Sequence, residues 1–158
     1  MSGMAAGGVA ANDNRSFEAL TFDLQGEIFA IDAQMVREIL DVGAVTDVPG
    51  AKAFVPGLIN VRGKVVPLAD LRVKFGMEQP PHSRDTRIIV VEIPIEDEPT
   101  IVGLLADRVH EVTTIGGAGI EDAPEIGMKW RPDFLKGIGK RGDEFIIIPD
   151  IGRIFSAA

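Results

Sequence analysis

The fold is decided by a stretch that the chain contains twice, as VVPLADL at residues 65–71 and as IIIPDI at residues 146–151. Both copies are apolar runs that lead to an aspartate, and aspartate is a preferred helix N-cap. Just before them lies Arg62-Gly63 in one case and Arg141-Gly142 in the other. Each copy therefore predicts a turn, then a strand, then a short helix that begins at the aspartate.

Two further matches extend this repeat towards the N-terminal side of each copy. They pair FVPGL at 54–58 with FLKGI at 134–138, and VREI at 36–39 with VHEV at 109–112. All the matches keep their order, with offsets of roughly 70 to 80 residues, which predicts a duplicated unit of about 70 residues. The polar stretch EQPPHSRD at 78–85 lies between the two halves and is interpreted as their connection.

Elsewhere the pattern has period two or forms short β-branched runs bounded by Gly, Pro and Asp, which indicates strands rather than long helices. The segments 20–24 and 27–31 flank Gln25-Gly26 and predict a hairpin. Further strands are expected at 38–42, 57–61, 65–68, 86–93, 100–106, 109–114 and 144–148. Short helices are expected at 32–36, 51–55, 70–75 and 150–155.

These elements predict an all-β protein with a few short helices. A unit of about 70 residues buries too little surface to be stable alone, so we expect the two halves to dock. Five short strands lose their exposed edges when they close, which favours two five-stranded β-barrels packed side by side with a groove between them. The expected division is a flexible tail at 1–16, a first barrel at 17–84 and a second barrel with a C-terminal helix at 85–158.

The composition argues against several classes of function. A net charge of -8 has the wrong sign for binding a phosphate backbone, so we expect no nucleic-acid partner. The absence of cysteine excludes disulfides and thiolate chemistry and fits a reducing compartment. No apolar run has the length of about 18 to 20 residues that a membrane span needs, and residues 1–16 lack the pattern of a secretory signal. We therefore expect a cytoplasmic protein without direct membrane insertion.

The side chains that carry catalysis are poorly placed for it. The serines lie in predicted tail or connector positions, and His82 and His110 are too few to predict a metal site, so we expect no cofactor. His110 is interpreted as an exposed imidazole and Gly116–Gly119 as a loop, while Trp130 either plugs a barrel mouth or offers a contact aromatic. A small-ligand-binding or enzymatic barrel that uses Glu38 or Glu111 remains the alternative to a binding module.

The predicted groove has three candidate residues. Val36 and Val109 occupy equivalent places in the two copies, and each faces either the groove or the core. Arg62 lies in a turn between two apolar strands, either exposed or held by a carboxylate near the groove, with Glu38 as the candidate partner. A shielded pair predicts a large loss of stability when Arg62 is truncated, and an exposed pair predicts a small one.

Together these motifs resemble the CheW family of bacterial chemotaxis coupling proteins over about residues 17–156. The resemblance rests on Ile31-Asp32 with VREI at 36–39, GLINVRG at 57–63, Val66-Pro67 leading to DLR at 70–72, and GIGKRGD at 137–143. It implies two SH3-like five-stranded barrels in tandem and an adaptor without catalytic activity. It also implies a location in the cytoplasm, with recruitment to membrane-associated receptor arrays.

The resemblance further implies two protein partners. The groove of CheW-like proteins receives the cytoplasmic tip of a chemoreceptor, and one barrel docks on the regulatory domain of a CheA-type histidine kinase. Carried onto this chain, the receptor-facing residues are Val36, Arg62 and Val109, and the kinase-facing residues are Glu38, Ile39 and Val45. Glu38 and Arg62 are also expected to form a structural pair. An adaptor of a receptor–kinase pathway for surface motility or biofilm formation is the alternative within the family.

Overall fold

The computed structural model describes residues 16–50, 53–116, 134–141 and 143–156 of the 158-residue chain. Its strands are β1 (Ser16–Leu24), β2 (Glu27–Asp32), β3 (Val36–Asp41), β4 (Thr46–Asp47), β5 (Gly57–Val61), β6 (Lys64–Ala69), β7 (Arg87–Ile95), β8 (Glu98–Ala106), β9 (Arg108–Gly116), β10 (Leu135–Arg141) and β11 (Glu144–Pro149). Its helices are a 3-10 helix (Ala33–Met35), α1 (Leu71–Lys74) and α2 (Ile151–Ser156). The strands dominate, as the alternating sequence pattern predicts.

The strands form two curled sheets, which we call the terminal sheet and the middle sheet. The terminal sheet has the order β10-β11-β2-β1-β9, and the middle sheet has the order β3-β7-β8-β6-β5-β4. Each sheet contains one parallel pair, β11 with β2 and β6 with β8, among antiparallel neighbours. The predicted fold class of two SH3-like barrels with short helices is confirmed, and the two-residue strand β4 is an addition to the middle sheet.

The sheets divide the chain differently from the predicted units 17–84 and 85–158. The hairpin β1–β2 pairs with strands of the second half, and the hairpin β7–β8 pairs with strands of the first half. The elements recur in the predicted order, but the halves exchange their hairpins. Both hairpins are apolar, so the sequence repeat does not reveal which sheet each of them completes. Ser16, predicted to end the tail, is the first residue of β1.

The described chain passes between the two sheets at two places. The first crossover, from β2 to β3, is made by the 3-10 helix, whose N-cap Asp32 accepts the backbone N–H of Gln34 at 2.9 Å. The second, from β8 to β9, consists of Asp107 alone. The backbone N–H of Asp107 donates to the carbonyl of Asp23 on β1 at 2.9 Å. Both crossovers are therefore tightly held.

One large apolar cluster, the shared core, draws its side chains from both sheets and both α-helices. Phe22 and Phe29 come from the terminal sheet, Ile89 and Leu104 come from the middle sheet, and all are fully buried with Ile154 of α2. A smaller cluster lies within each barrel: Ile59, Val61, Val66, Leu68, Ile88, Val90 and Leu105 in the middle sheet, and Ala19, Ala30, Ile115, Ile146 and Ile148 in the terminal sheet. Burial of the shared core is what joins the two sheets.

The helices pack reciprocally across the boundary between the halves. Phe75, the C-cap of α1, packs on Phe134 with ring centroids 6.5 Å apart. Phe155 of α2 packs on Phe54 of the first half with ring centroids 5.3 Å apart. Both helices begin at the predicted aspartates, whereas the helix predicted at 51–55 lies partly outside the described residues.

Within the described segments, no helix combines the length and the apolar character that crossing a bilayer requires.

Candidate functional site

Val36 and Val109 are placed at the two points where the chain enters a new sheet. Val36 is the first residue of β3, directly after the first crossover, and Val109 is the second residue of β9, two residues after Asp107. Both side chains are half-buried and pack against the shared core. Their sequence equivalence is thus a structural equivalence, and each combines a contact with the core and a partly exposed position at the boundary between the sheets.

Arg62 lies in the tight turn between β5 and β6. Its backbone is left-handed, with φ of 54°, and the turn is closed by the side-chain oxygen of Asn60, which accepts the N–H of Gly63 at 2.8 Å. The guanidinium forms two hydrogen bonds with Glu38, from Nε to Oε2 at 3.0 Å and from Nη2 to Oε1 at 3.2 Å. This pair ties the turn to β3, two residues beyond Val36.

The Glu38–Arg62 pair is exposed rather than shielded. The Arg62 side chain is 81% accessible, and its pKa is raised above the ordinary value by the hydrogen bonds that it donates to Glu38 and then by the charge of that carboxylate. Exposed pairs contribute little to folding stability. The pair therefore orients Arg62 and leaves most of its surface free for contact with a partner.

The three residues expected to face the kinase differ in what they expose. Ile39 is 43% accessible, whereas the carboxylate of Glu38 is engaged with Arg62. Val45 is half-buried and packs against the apolar cluster of the middle sheet. Of this set, Ile39 offers the most apolar surface to a partner.

Exposed apolar side chains recur at equivalent positions of the two sheets, which the sequence analysis missed. Val112 on β9 corresponds to Ile39 and is 53% accessible. Val65 and Phe145, each the second residue of its strand in the hairpins β5–β6 and β10–β11, are 71% and 64% accessible. Lys140 covers one face of the Phe145 ring, with Nζ 5.6 Å from its centroid. The repeat itself was the signal that relates these positions.

His110 has a partner that the sequence analysis also missed. Its Nε2 atom lies 2.8 Å from Oδ1 of Asp23 on the neighbouring strand β1. The equivalent residue Arg37 forms an ion pair with Glu92 on β7, from Nη2 to Oε1 at 2.7 Å. The two contacts are counterparts, and each connects residues from different halves of the chain.

A buried ion pair is the third feature that sequence reasoning missed. Arg72 of α1 donates from Nε and Nη2 to both carboxylate oxygens of Asp70, at 2.9 and 2.8 Å. Its side chain is 6% accessible, and its Nη1 lies 3.3 Å from Oδ1 of Asp107. Hydrogen bonding to Asp70 raises the pKa of Arg72, while burial opposes this shift. The sequence signal was an arginine two residues after a helix-capping aspartate.

Two observations on the described segments bear on the enzymatic alternative. Within the described segments, no cluster of three or more His, Asp or Glu side chains is close enough to hold a metal ion. Glu38, a candidate of the enzymatic alternative, is engaged with Arg62. Trp130 and residues 117–119 of the predicted glycine loop lie outside the described residues.

Comparisons with known proteins agree on one family. The family described as CheW-like domain matches residues 18–158. The chain is 31% identical to the chemotaxis protein CheW of Klebsiella aerogenes, covering 99% of this chain and 92% of that protein. It is 32% identical to the chemotaxis protein CheW of Helicobacter pylori, covering 91% and 85%. The crystal structure of the scaffolding protein TtCheW from Thermoanaerobacter tengcongensis matches with a TM-score of 0.79, at 34% identity over 89% and 88% of the two chains.

Proposed function

Because this chain belongs to the CheW-like family of non-catalytic coupling proteins, we propose that it joins the cytoplasmic tips of chemoreceptors to the regulatory domain of a CheA-type histidine kinase. The observation that carries the proposal is a match that spans almost the whole chain in sequence and in fold. The adaptor is then recruited from the cytoplasm to membrane-associated receptor arrays by its two partners.

The receptor side of the proposal rests on the boundary between the sheets. Val36 and Val109 lie at equivalent crossovers, and Arg62 is held beside β3 with its guanidinium largely exposed. A receptor tip is helical, and an amphipathic helix binds by laying its apolar face into a groove with polar groups at the rim. Two valines and one oriented arginine fit these two requirements.

The kinase side of the proposal rests on the outer face of β3. Ile39 exposes apolar surface there, and the exposed charged residues Arg37 and Asp41 flank it at alternate positions of the strand. An apolar side chain surrounded by polar groups is typical of a protein–protein contact. Val45 supports this surface from within the middle sheet rather than through a large exposed area.

The two surfaces are tested by variants that remove one contact at a time. Arg62→Glu reverses an exposed charge and is expected to weaken binding to a receptor tip while preserving binding to the kinase domain. Ile39→Asp is expected to do the opposite. Arg153→Glu and Phe145→Asp are matched controls, because they change an exposed arginine and an exposed apolar side chain outside the proposed surfaces.

Binding is measured by titration calorimetry, with circular dichroism to show that every variant is folded. Selective loss, by about tenfold in Kd for the intended partner, supports the assignment. Equal affinities for folded Arg62→Glu and wild type would remove the receptor surface from the account. A wild-type chain that binds neither partner would overturn the proposed function itself.

A further inference from the structure

The proposed binding surfaces do not explain why the charged side chain of Arg72 is buried in α1. Arg72 and Asp70 are both almost fully buried and form a bidentate pair. A buried ion pair adds little net stability, since the cost of removing two charges from water offsets their attraction. An apolar residue at this position would give a similar net stability. The role of the pair is therefore in geometry rather than in stability.

The third partner of this pair connects it to the other sheet. Asp107, which accepts from Arg72, is the single residue between β8 of the middle sheet and β9 of the terminal sheet. Its other oxygen, Oδ2, accepts the backbone N–H of Gln25 at 2.7 Å in the turn between β1 and β2. A continuous set of hydrogen bonds therefore runs from α1, which follows the middle sheet, through the crossover to the hairpin turn of the terminal sheet.

This arrangement differs in kind from the apolar packing that surrounds it. The shared core attracts the two sheets without specifying a direction, because the hydrophobic effect is proportional to buried area. Hydrogen bonds to a charged guanidinium are directional and restrict both distance and angle. Val109 follows Asp107 by two residues, so a displacement of the crossover is transmitted directly to a residue of the proposed receptor surface.

We propose that Arg72 is a positioning residue that fixes the angle between the two sheets through Asp107, and so keeps the receptor groove in its binding shape. The inference rests on the proposed function for its consequence in binding. Its structural part, the fixed angle between the sheets, stands independently.

The second helix supplies a matched control. In α2 the backbone N–H of Arg153 donates to the capping Asp150 at 3.0 Å, but the Arg153 side chain is exposed. The test variant is Asp70→Asn with Arg72→Met, which removes both buried charges and retains an asparagine cap. The control variant is Asp150→Asn with Arg153→Met. Asparagine caps helices about as well as aspartate, so neither helix loses its N-terminal hydrogen bond.

The angle is measured by electron paramagnetic resonance between two spin labels, one at Lys64→Cys in the middle sheet and one at Thr114→Cys in the terminal sheet. Both positions are exposed, and the chain has no cysteine of its own that would take up label. The test variant is expected to broaden or shift the distance distribution, and the control variant is expected to retain the wild-type distribution. A folded test variant with the wild-type distribution would overturn the proposal.

Binding measurements separate this inference from the proposed function. The test variant is expected to bind a receptor tip about tenfold more weakly and the kinase domain with unchanged affinity, a typical size for coupling between sites. If the wild type binds neither partner, the proposed function fails, and the spin-label distances alone decide the role of Arg72. If the test variant does not fold, Asp107→Asn replaces it, since the amide keeps an acceptor for Gln25 and removes the charge that Arg72 contacts; unchanged distances in this folded variant would equally overturn the proposal.

Discussion

The two short helices begin alike and dock in different ways. Asp70 and Asp150 each cap a helix and donate a backbone N–H to a phenylalanine carbonyl at 2.7 and 2.8 Å. Two residues later α1 carries the buried Arg72, whereas α2 carries Gly152, where an added Cβ would lie 3.0 Å from the carbonyl oxygen of Pro94. α1 docks through charged hydrogen bonds to Asp107 at the crossover, whereas α2 docks through close contact with the backbone of β7 in the middle sheet. Duplicated helices can thus share a capping pattern and differ in the interactions that dock them on the rest of the protein.

Two of the three strand pairs that show a register shift in the described residues, β1–β9 and β3–β7, differ in the same manner. The register of β1 with β9 shifts between Leu20 and Phe22, and the intervening Thr21 hydroxyl contacts both backbone groups of Glu111, donating to its carbonyl at 2.9 Å and accepting its N–H at 3.3 Å. The register of β3 with β7 shifts between Val36 and Glu38, opposite the apolar Val90. The buried Thr21 hydroxyl therefore hydrogen-bonds the backbone at the bulge of the terminal sheet. The corresponding residue of the middle sheet, Val90, is apolar and forms no such bond through its side chain.

The largest effect is expected from breaking the polar docking of α1. Arg72→Ala leaves the carboxylate of Asp70 buried without its charged partner, so the free energy of unfolding should fall by about 3 to 5 kcal/mol. Arg153→Ala changes an exposed side chain and should cost no more than about 0.5 kcal/mol. Urea unfolding monitored by circular dichroism measures both. Equal losses for the two arginines would refute the difference between the helices.

A smaller loss is expected from disturbing the close docking of α2. Gly152→Leu places a side chain against the Pro94 carbonyl and should lower the free energy of unfolding by about 1 to 3 kcal/mol through overpacking. Gly76→Ala is no suitable control because its φ is 68°, so Arg153→Leu on the same helix serves instead. Thermal unfolding compares the two variants. A Gly152→Leu protein as stable as wild type would show that α2 does not depend on this contact.

Removing the Thr21 hydroxyl, which bonds the bulged part of β9, should lower the free energy of unfolding by about 1 to 2 kcal/mol. Thr21→Val keeps the shape of a fully buried side chain and leaves the N–H and carbonyl of Glu111 without this partner. Val90→Ile, at the corresponding place in the other sheet, tests packing without a hydrogen bond. Faster amide exchange at Glu111 in Thr21→Val is the specific signature. Exchange at the wild-type rate would argue against a role for the hydroxyl.

The smallest effect is expected where a cation lies between the halves. The Lys74 ammonium lies 4.7 Å from the Phe54 ring centroid and 5.2 Å from that of Phe134. Lys74→Met removes the charge and keeps roughly the length of the side chain. It should lower the free energy of unfolding by about 0.5 to 1 kcal/mol. Lys140→Met is the control, since Lys140 contacts one exposed ring. A Lys74→Met protein that is more stable than wild type would contradict this contribution.

The sequence was sufficient for the features that depend on local patterns. The hairpin at Gln25-Gly26 follows from alternation around a turn, and both residues have the positive φ that such a turn requires. Asp70 and Asp150 predicted the two helices because capping is a local preference. The contact of Glu38 with Arg62 was inferred from a cation beside a turn, and the structure contains it.

The sequence was insufficient where distant segments had to be assigned to each other. Nothing in the pattern of β1 and β2 distinguishes pairing with β6 from pairing with β11, so the exchange of hairpins was missed. The contact of Arg72 with Asp107 joins residues 35 positions apart, and it forms only because that exchange brings the crossover beside α1. The receptor and kinase surfaces likewise depend on how the two sheets are placed, which local sequence patterns do not specify.

The most direct test of the adaptor account is to titrate this chain into fixed amounts of receptor tips and a CheA-type kinase while recording kinase phosphorylation. A bridging protein with two separate binding surfaces predicts a rise in receptor-dependent activity followed by a fall at excess, because receptor and kinase then become saturated by different copies. The Ile39→Asp and Arg62→Glu variants should remove the rise. A monotonic increase to a plateau, or activity that does not depend on the chain, would contradict the account.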